Sequence, residues 1–247
     1  MDQLLQQIEH NTSQQVAAFI IVSGKGSKID TIFPEPIVLD ERYSYCMALS
    51  GLQTYNVTPN VRAGGNDSLT IFDKTSGEWS DIRFATGSYS LEDLNDTLQR
   101  NLKVPGSIVL IPDSTTLKCW IEIASGYKVH LKKGDLSEIL GFTPQILEAG
   151  KHVGSKIVNI LNISAINVCV NIVTGSFLDG VRRNIIYTFF PDSAIGSKLV
   201  ESPYNLLFLP LTVKRIECLS VTLTDQLNEV IDLREETVTC QFIVKRT

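Results

Sequence analysis

The chain has 247 residues, 43% of them apolar and 20% charged. That composition excludes a disordered polyampholyte and supplies enough apolar side chain for a sizeable core. A net charge of −5 argues against coating of nucleic acid by the folded body, which would need a basic face.

Residues 1–15 are predicted to be a mobile or partner-ordered arm, able to form a short amphipathic helix with Leu4, Leu5, Ile8 and His10 on one side. This stretch lacks the basic start and apolar run of a signal peptide, so secretion by that route is not expected. The Asn-x-Ser/Thr sites at Asn11, Asn56, Asn66, Asn95 and Asn162 are then expected to stay unmodified.

A strand follows at Val16–Val22. Ser23–Lys28 (SGKGSK) reads as a loop; it lacks the spacing of a nucleotide phosphate loop, and no helix follows. Tyr43–Tyr55 is apolar and β-prone, and Pro59 with Gly64–Asn66 marks a loop. Leu69–Phe72 and Trp79–Phe84 flank the turn Lys74–Gly77 as a hairpin. Ile108–Ile111 and Leu117–Ile123 flank Pro112–Thr115 as a second, and Tyr127–Leu131 adds a strand. Two short helices interrupt the pattern. Ser90 with Asp93 makes a capping box, with Leu91, Leu94, Leu98 and Leu102 on one face. Asp135 with Glu138 repeats the device, and Gly141 stops that helix.

Ile157–Leu178 carries no charge, but Asn159, Asn162, Asn167 and Asn171 would be costly in a lipid-facing helix. Its period is two, so no membrane span is expected. Ile166–Ile172, Leu219–Thr224 and Val238–Val244 alternate as half-buried strands, and Asp225–Asn228 turns the chain between the last two. Ile185–Phe190 and Leu206–Leu209 are denser runs that read as buried on both faces, which favours a second sheet or another subunit against them. The predicted architecture is all-β: an antiparallel β-sandwich of jelly-roll type with two short inserted helices, one domain over residues 16–247.

Chemistry is sparse. The cysteines Cys46, Cys119, Cys169, Cys218 and Cys240 are odd in number and form no CxxC, so free buried thiols are expected rather than disulfides or zinc. His130 is the best-placed histidine for a triad, but an exposed strand-end histidine is the plainer reading. Glu92, Asp93 and Asp96 suit the positive end of a helix better than a metal. Arg182 and Arg183, in the loop Gly180–Asn184, suit a solvated tip, a phosphate contact or a contact between subunits. Trp79 and Trp120 suit core or interface packing, or carbohydrate stacking if exposed. No enzyme, cofactor or metal site is predicted. Arg182, Arg183, Phe189, Phe190, Leu207 and Phe208 are the candidate subunit-interface residues.

Several stretches, in order, carry a family likeness: Thr86–Asn95 leading into the capped helix, Leu140-Gly141-Phe142, Ile166–Val173, Asn205–Pro210, and the tail from Leu223 through Ile231–Glu236 to Arg246. Over roughly residues 40–246 the chain resembles jelly-roll capsid proteins of Polinton/Maverick-type elements and adintovirus-like double-stranded DNA viruses. That family usually has a glycine in the last hairpin turn and Arg-Gly-Glu after it, where this chain has Asp225–Asn228 and Arg234-Glu235-Glu236. The resemblance implies a structural virion protein, assembled in host cytoplasm or nucleus. Its length implies the minor, penton-like vertex protein rather than the double jelly-roll major capsid protein that would be its partner. A homopentamer is implied, with a trimer as the alternative, and a fibre or host receptor as further partners. The other reading of the residues is a ligand-binding β-sandwich module for carbohydrate or a receptor.

Overall fold

A computed structural model describes residues 16–160 and 163–247. The arm predicted over residues 1–15 lies outside them. In chain order the strands are β1 (Val16–Lys25), β2 (Lys28–Val38), β3 (Tyr45–Tyr55), β4 (Ser68–Asp73), β5 (Glu78–Arg83), β6 (Ile108–Asp113), β7 (Lys118–Ile123), β8 (Tyr127–Leu131), β9 (Gln145–Leu147) and β10 (Gly150–Val153). They continue as β11 (Ile166–Val170), β12 (Ser176–Leu178), β13 (Val181–Arg183), β14 (Ile185–Phe189), β15 (Lys198–Glu201), β16 (Leu209–Pro210), β17 (Arg215–Thr224) and β18 (Thr237–Arg246). Among the described residues, the helices α1 (Leu91–Asn101) and α2 (Ser137–Leu140) lie between strands.

The contacts divide the described residues into two compact units, the first on either side of the second in the chain, with the boundaries after Thr58 and before Ile163. Each unit has its own apolar cluster. Alternation along a strand reports that a face is buried, not which core it faces.

The first unit is a jelly roll. One sheet has the order β1-β18-β3-β15, with β16 also on β3, and the other has β14-β11-β17-β2. Taking the unit's strands as a nested series, β1 pairs β18, β2 pairs β17, β3 pairs β15 and β11 pairs β14, all antiparallel. Nested pairing of this kind is what rolls a long hairpin into a sandwich. The predicted period-two pattern holds best in β18, where Val238, Cys240, Phe242 and Val244 point inward and are fully buried. They meet Leu219, Val221 and Leu223 of β17 and Ile166, Val168 and Val170 of β11 in one cluster.

Three expectations are corrected here. β11 was expected to be half-buried, but all five of its residues are buried. Its polar member is satisfied: Asn167 Nδ2 donates to the Asp225 carbonyl at 2.7 Å, and Thr188 Oγ1 donates to Asn167 Oδ1 at 2.8 Å. Leu206–Leu209 was expected as a strand buried on both faces, yet only Leu209 and Pro210 pair, with Met47 and Cys46 of β3. Pro203 and Pro210 bracket the run and remove ladder donors. The chain needs no long loop at SGKGSK; β1 and β2 are joined by Gly26 and Ser27 alone.

The second unit sets a sheet β5-β4-β8-β9 and a sheet β10-β7-β6 around its own cluster. Ser90 caps α1 as predicted: its hydroxyl accepts from Asp93 N, and the Asp93 carboxylate accepts from Ser90 N. Leu91, Leu94 and Leu98 are the buried stripe. Gln99 Nε2 donates to the Ile108 carbonyl at 2.8 Å, and Leu110 N donates to Asn95 Oδ1 at 3.0 Å, which anchors α1 on β6. The second capping box is displaced. Asp135 accepts from Ser137 N and Lys132 N, and Glu138 accepts from Gly134 N, so the pair closes the preceding turn. Gly141 ends α2 at φ 76°, where a Cβ would lie 2.8 Å from the Ile157 carbonyl oxygen. The second hairpin turns two residues later than expected, because β6 runs to Asp113 and pairs it with Lys118.

Candidate functional site

The jelly-roll unit brings several of the predicted interface residues to one side. β14 is the edge strand of its sheet. Beside it stands the β12–β13 hairpin, closed by Asp179 and Gly180 at φ 50° and 78°. Both residues of that two-residue turn are left-handed, the geometry that favours an Asp-Gly pair. Ser176 ties the hairpin to the sheet: its hydroxyl donates to the Arg183 carbonyl at 2.9 Å and accepts from Ile185 N at 2.8 Å.

Between hairpin and strand lies a groove of about 460 Å³, lined by Phe177, Leu178, Ile185, Tyr187 and Leu207 among others. Leu207 is 60% exposed and Phe177 66%. Phe190, just beyond β14, is 72% exposed. Arg182 and Arg183 flank the groove on β13, opposite Phe177 and Ser176. Arg182 is exposed, while Arg183 Nε is buried and makes no hydrogen bond within the chain. Burial, and then the Glu201 charge, pushes the Tyr187 phenol up, so its hydroxyl stays protonated at neutral pH.

Two predicted interface residues go elsewhere. Phe189 is only 4% exposed and stacks on Tyr187 at 6.3 Å, so it belongs to the sandwich core. Phe208 is half-buried under the Lys245 ammonium, 4.5 Å from the ring centroid. Phe177 was missed by sequence reasoning, although the Asp179-Gly180 turn with apolar residues on both sides was the signal that could have found it.

The opposite lateral side of the same unit is also apolar. β1 and β2 are edge strands of the two sheets and contact each other. Phe19 and Ile21 of β1 and Ile32 and Val38 of β2 are all exposed. Phe19 lies across from Ile243 of β18.

Among the described residues no group of three or more His, Cys, Asp or Glu is placed to hold a metal ion, and no helix is long and apolar enough to cross a membrane. All five cysteines are free. Burial pushes the Cys119 and Cys240 thiols up to about 12, which keeps them uncharged and unreactive. Asp93 belongs to the α1 cap, not to an acidic site, and the Ser90 hydroxyl holds its carboxyl below the usual range. His130 sits edge-on to Trp79 at 5.8 Å.

No family model matches the chain, and no curated protein matches it in sequence. In fold it is similar to the crystal structure of the selenomethionine-labelled mavirus penton protein. That match has a TM-score of 0.51 at 10% identity and covers 93% of this chain and 100% of that one. At that identity the likeness is one of fold, and it agrees with the antiparallel jelly roll built above.

Proposed function

We propose that this protein is a self-assembling capsid subunit, the minor, penton-like protein at a virion vertex. The observation that carries the reading is the pair of exposed apolar edges on opposite sides of the jelly roll. A closed ring with head-to-tail contacts needs two different patches on each subunit, one to give and one to receive. The groove beside β14 with Phe177, Phe190 and Leu207 supplies one, and Phe19, Ile21, Ile32 and Val38 supply the other. Exposed aromatic and aliphatic anchors of this kind mark contact surfaces rather than ordinary solvated faces. The likeness in fold to the mavirus penton protein, over that whole chain, supports the same reading.

In this role the subunit forms a homopentamer, sits in the virion capsid and abuts a double jelly-roll major capsid protein. Light scattering on the purified chain tests it. A particle of about 137 kDa, five times the 27.4 kDa chain, is the expected result. A trimer near 82 kDa would move the role away from the vertex. A strict monomer that also binds no capsid partner would sink it.

A further inference from the structure

The second unit carries a polar-aromatic sheet face of its own. The outward side chains of β4, β5, β8 and β9 form two adjacent rows. In one, Phe72 pairs with Trp79 on β5 and with Lys128 on β8. In the other, Thr70 pairs with Asp81 and His130, and His130 pairs with Ile146 on β9. Trp79 is 43% exposed on β5, an edge strand that is paired along its whole length with β4. Phe72, 5.3 Å away by ring centroids, and His130, at 5.8 Å, hold the indole from two sides. The polar groups around it are already oriented. Thr70 Oγ1 donates to Asp81 Oδ1 at 2.6 Å, Lys132 Nζ lies 3.6 Å from the same oxygen, and Lys128 Nζ lies 2.9 Å from Glu148 Oε1.

We propose that this sheet face is a saccharide-binding platform, with Trp79 stacking on the apolar face of a neutral pyranose and Asp81, Lys128 and His130 bonding its hydroxyls. A sugar ring is amphipathic in the way this face is: C–H bonds on one side, hydroxyls that donate and accept around the edge. An exposed indole supplies the first match, because its negative ring face attracts C–H groups. Fixed carboxylates, ammonium groups and an imidazole supply the second at no further ordering cost. The charges exclude the competing occupants. Lys132 lies against Asp81 and Lys128 against Glu148, so neither lysine stands as a free cation for a phosphate backbone or an acidic sugar. On these rows the exposed large apolar residues are Trp79 and Ile146, set among charged and polar groups, which suits a single sugar ring better than an apolar protein contact.

The test uses the full chain in its assembled state on a printed array of neutral and acidic oligosaccharides. Fluorescence titration follows with each soluble glycan that binds and with the methyl glycosides of glucose, galactose and N-acetylglucosamine. The expected result is binding of neutral glycans with a change in indole emission. Trp79→Ala should weaken it at least about tenfold, Trp79→Phe should keep part of it, and Asp81→Asn should weaken it about fivefold. Trp79 and Asp81 are both exposed on β5, so all three variants should melt within a few degrees of the parent and keep its assembled mass. No glycan bound, binding confined to acidic glycans, or affinity unchanged in Trp79→Ala would each overturn the proposal. A drop in assembled mass in Trp79→Ala would overturn it in favour of a face that joins subunits. None of these readouts depends on whether the assembly is a pentamer.

Discussion

Leu117 closes the β6–β7 hairpin at φ 56°, a left-handed conformation that costs a β-carbon-bearing residue roughly 1–2 kcal/mol. Its side chain is exposed, so nothing in the core compensates. Leu117→Gly should therefore stabilise the protein by about 1 kcal/mol and raise the thermal midpoint by about 2–4 °C, as calorimetry would show. Unchanged or reduced stability would mean that Leu117 makes a contact worth more than the strain. Glu235 is the parallel case, at φ 61° where the resembled family has a glycine. The same hairpin holds Asp113, whose carboxyl is drawn down to about 2 by the Thr116 hydroxyl, the Thr115 and Thr116 amides and the Trp120 indole N–H. A depressed carboxyl stabilises the fold fully above its unfolded value of about 3.9 and loses that contribution as pH falls through about 2. Between pH 4 and 2 the urea midpoint of the parent should therefore fall more steeply than that of Asp113→Ala. Parallel curves would refute the assignment.

At the scale of elements, the unit of residues 59–162 has what an independent domain needs. It has a closed apolar cluster, a capped helix, and amide side chains that tie that helix to β6. Asn60 is buried and bonds both the amide and the carbonyl of Tyr89, joining the start of the unit to the approach to α1. Expressed alone, residues 59–162 should unfold cooperatively, with dispersed amide resonances; a disordered spectrum would show that the cluster needs the rest of the chain. Within each unit, what was legible in the sequence was local. β17, β18 and α1 carry their pattern in consecutive residues, so the period and the Ser90–Asp93 box were enough to place them. What was not legible depends on distant partners. The division into two cores turns on which sheet Leu69 or Ile108 meets. β11 is buried on both faces because neighbours far along the chain cover Asn167 and Cys169. Of the candidate interface, Phe190 and Leu207 were readable as apolar residues beside prolines. Phe189 was not separable from Phe190, because adjacent residues on a strand point to opposite faces, and only the core decides which face is inward.

For the whole molecule, the ring proposed above requires contacts of the head-to-tail kind between the two apolar edges, and such contacts have a signature that self-complementary ones lack. Leu207→Asp places a charge in the groove beside β14 and leaves the β1–β2 edge intact. Phe19→Asp does the reverse. Both side chains are exposed, so neither change disturbs the core, and circular dichroism should match the parent. Each variant alone should lose the ring, because every contact in a ring uses one copy of each edge. An apolar anchor of this kind is worth about 2 kcal/mol or more per contact, enough to shift dissociation at least about thirtyfold. Mixed together, the two variants still own one intact edge each: the groove on Phe19→Asp and the β1–β2 edge on Leu207→Asp. They should join as a single heterodimer of about 55 kDa, twice the 27.4 kDa chain, and grow no further because both outer edges are blocked. A self-complementary interface predicts another outcome, in which one of the two variants alone keeps the full parent mass. Light scattering on each variant and on the equimolar mixture separates the two geometries. A mixture that stays monomeric would show that these edges are not the surfaces that join the subunits.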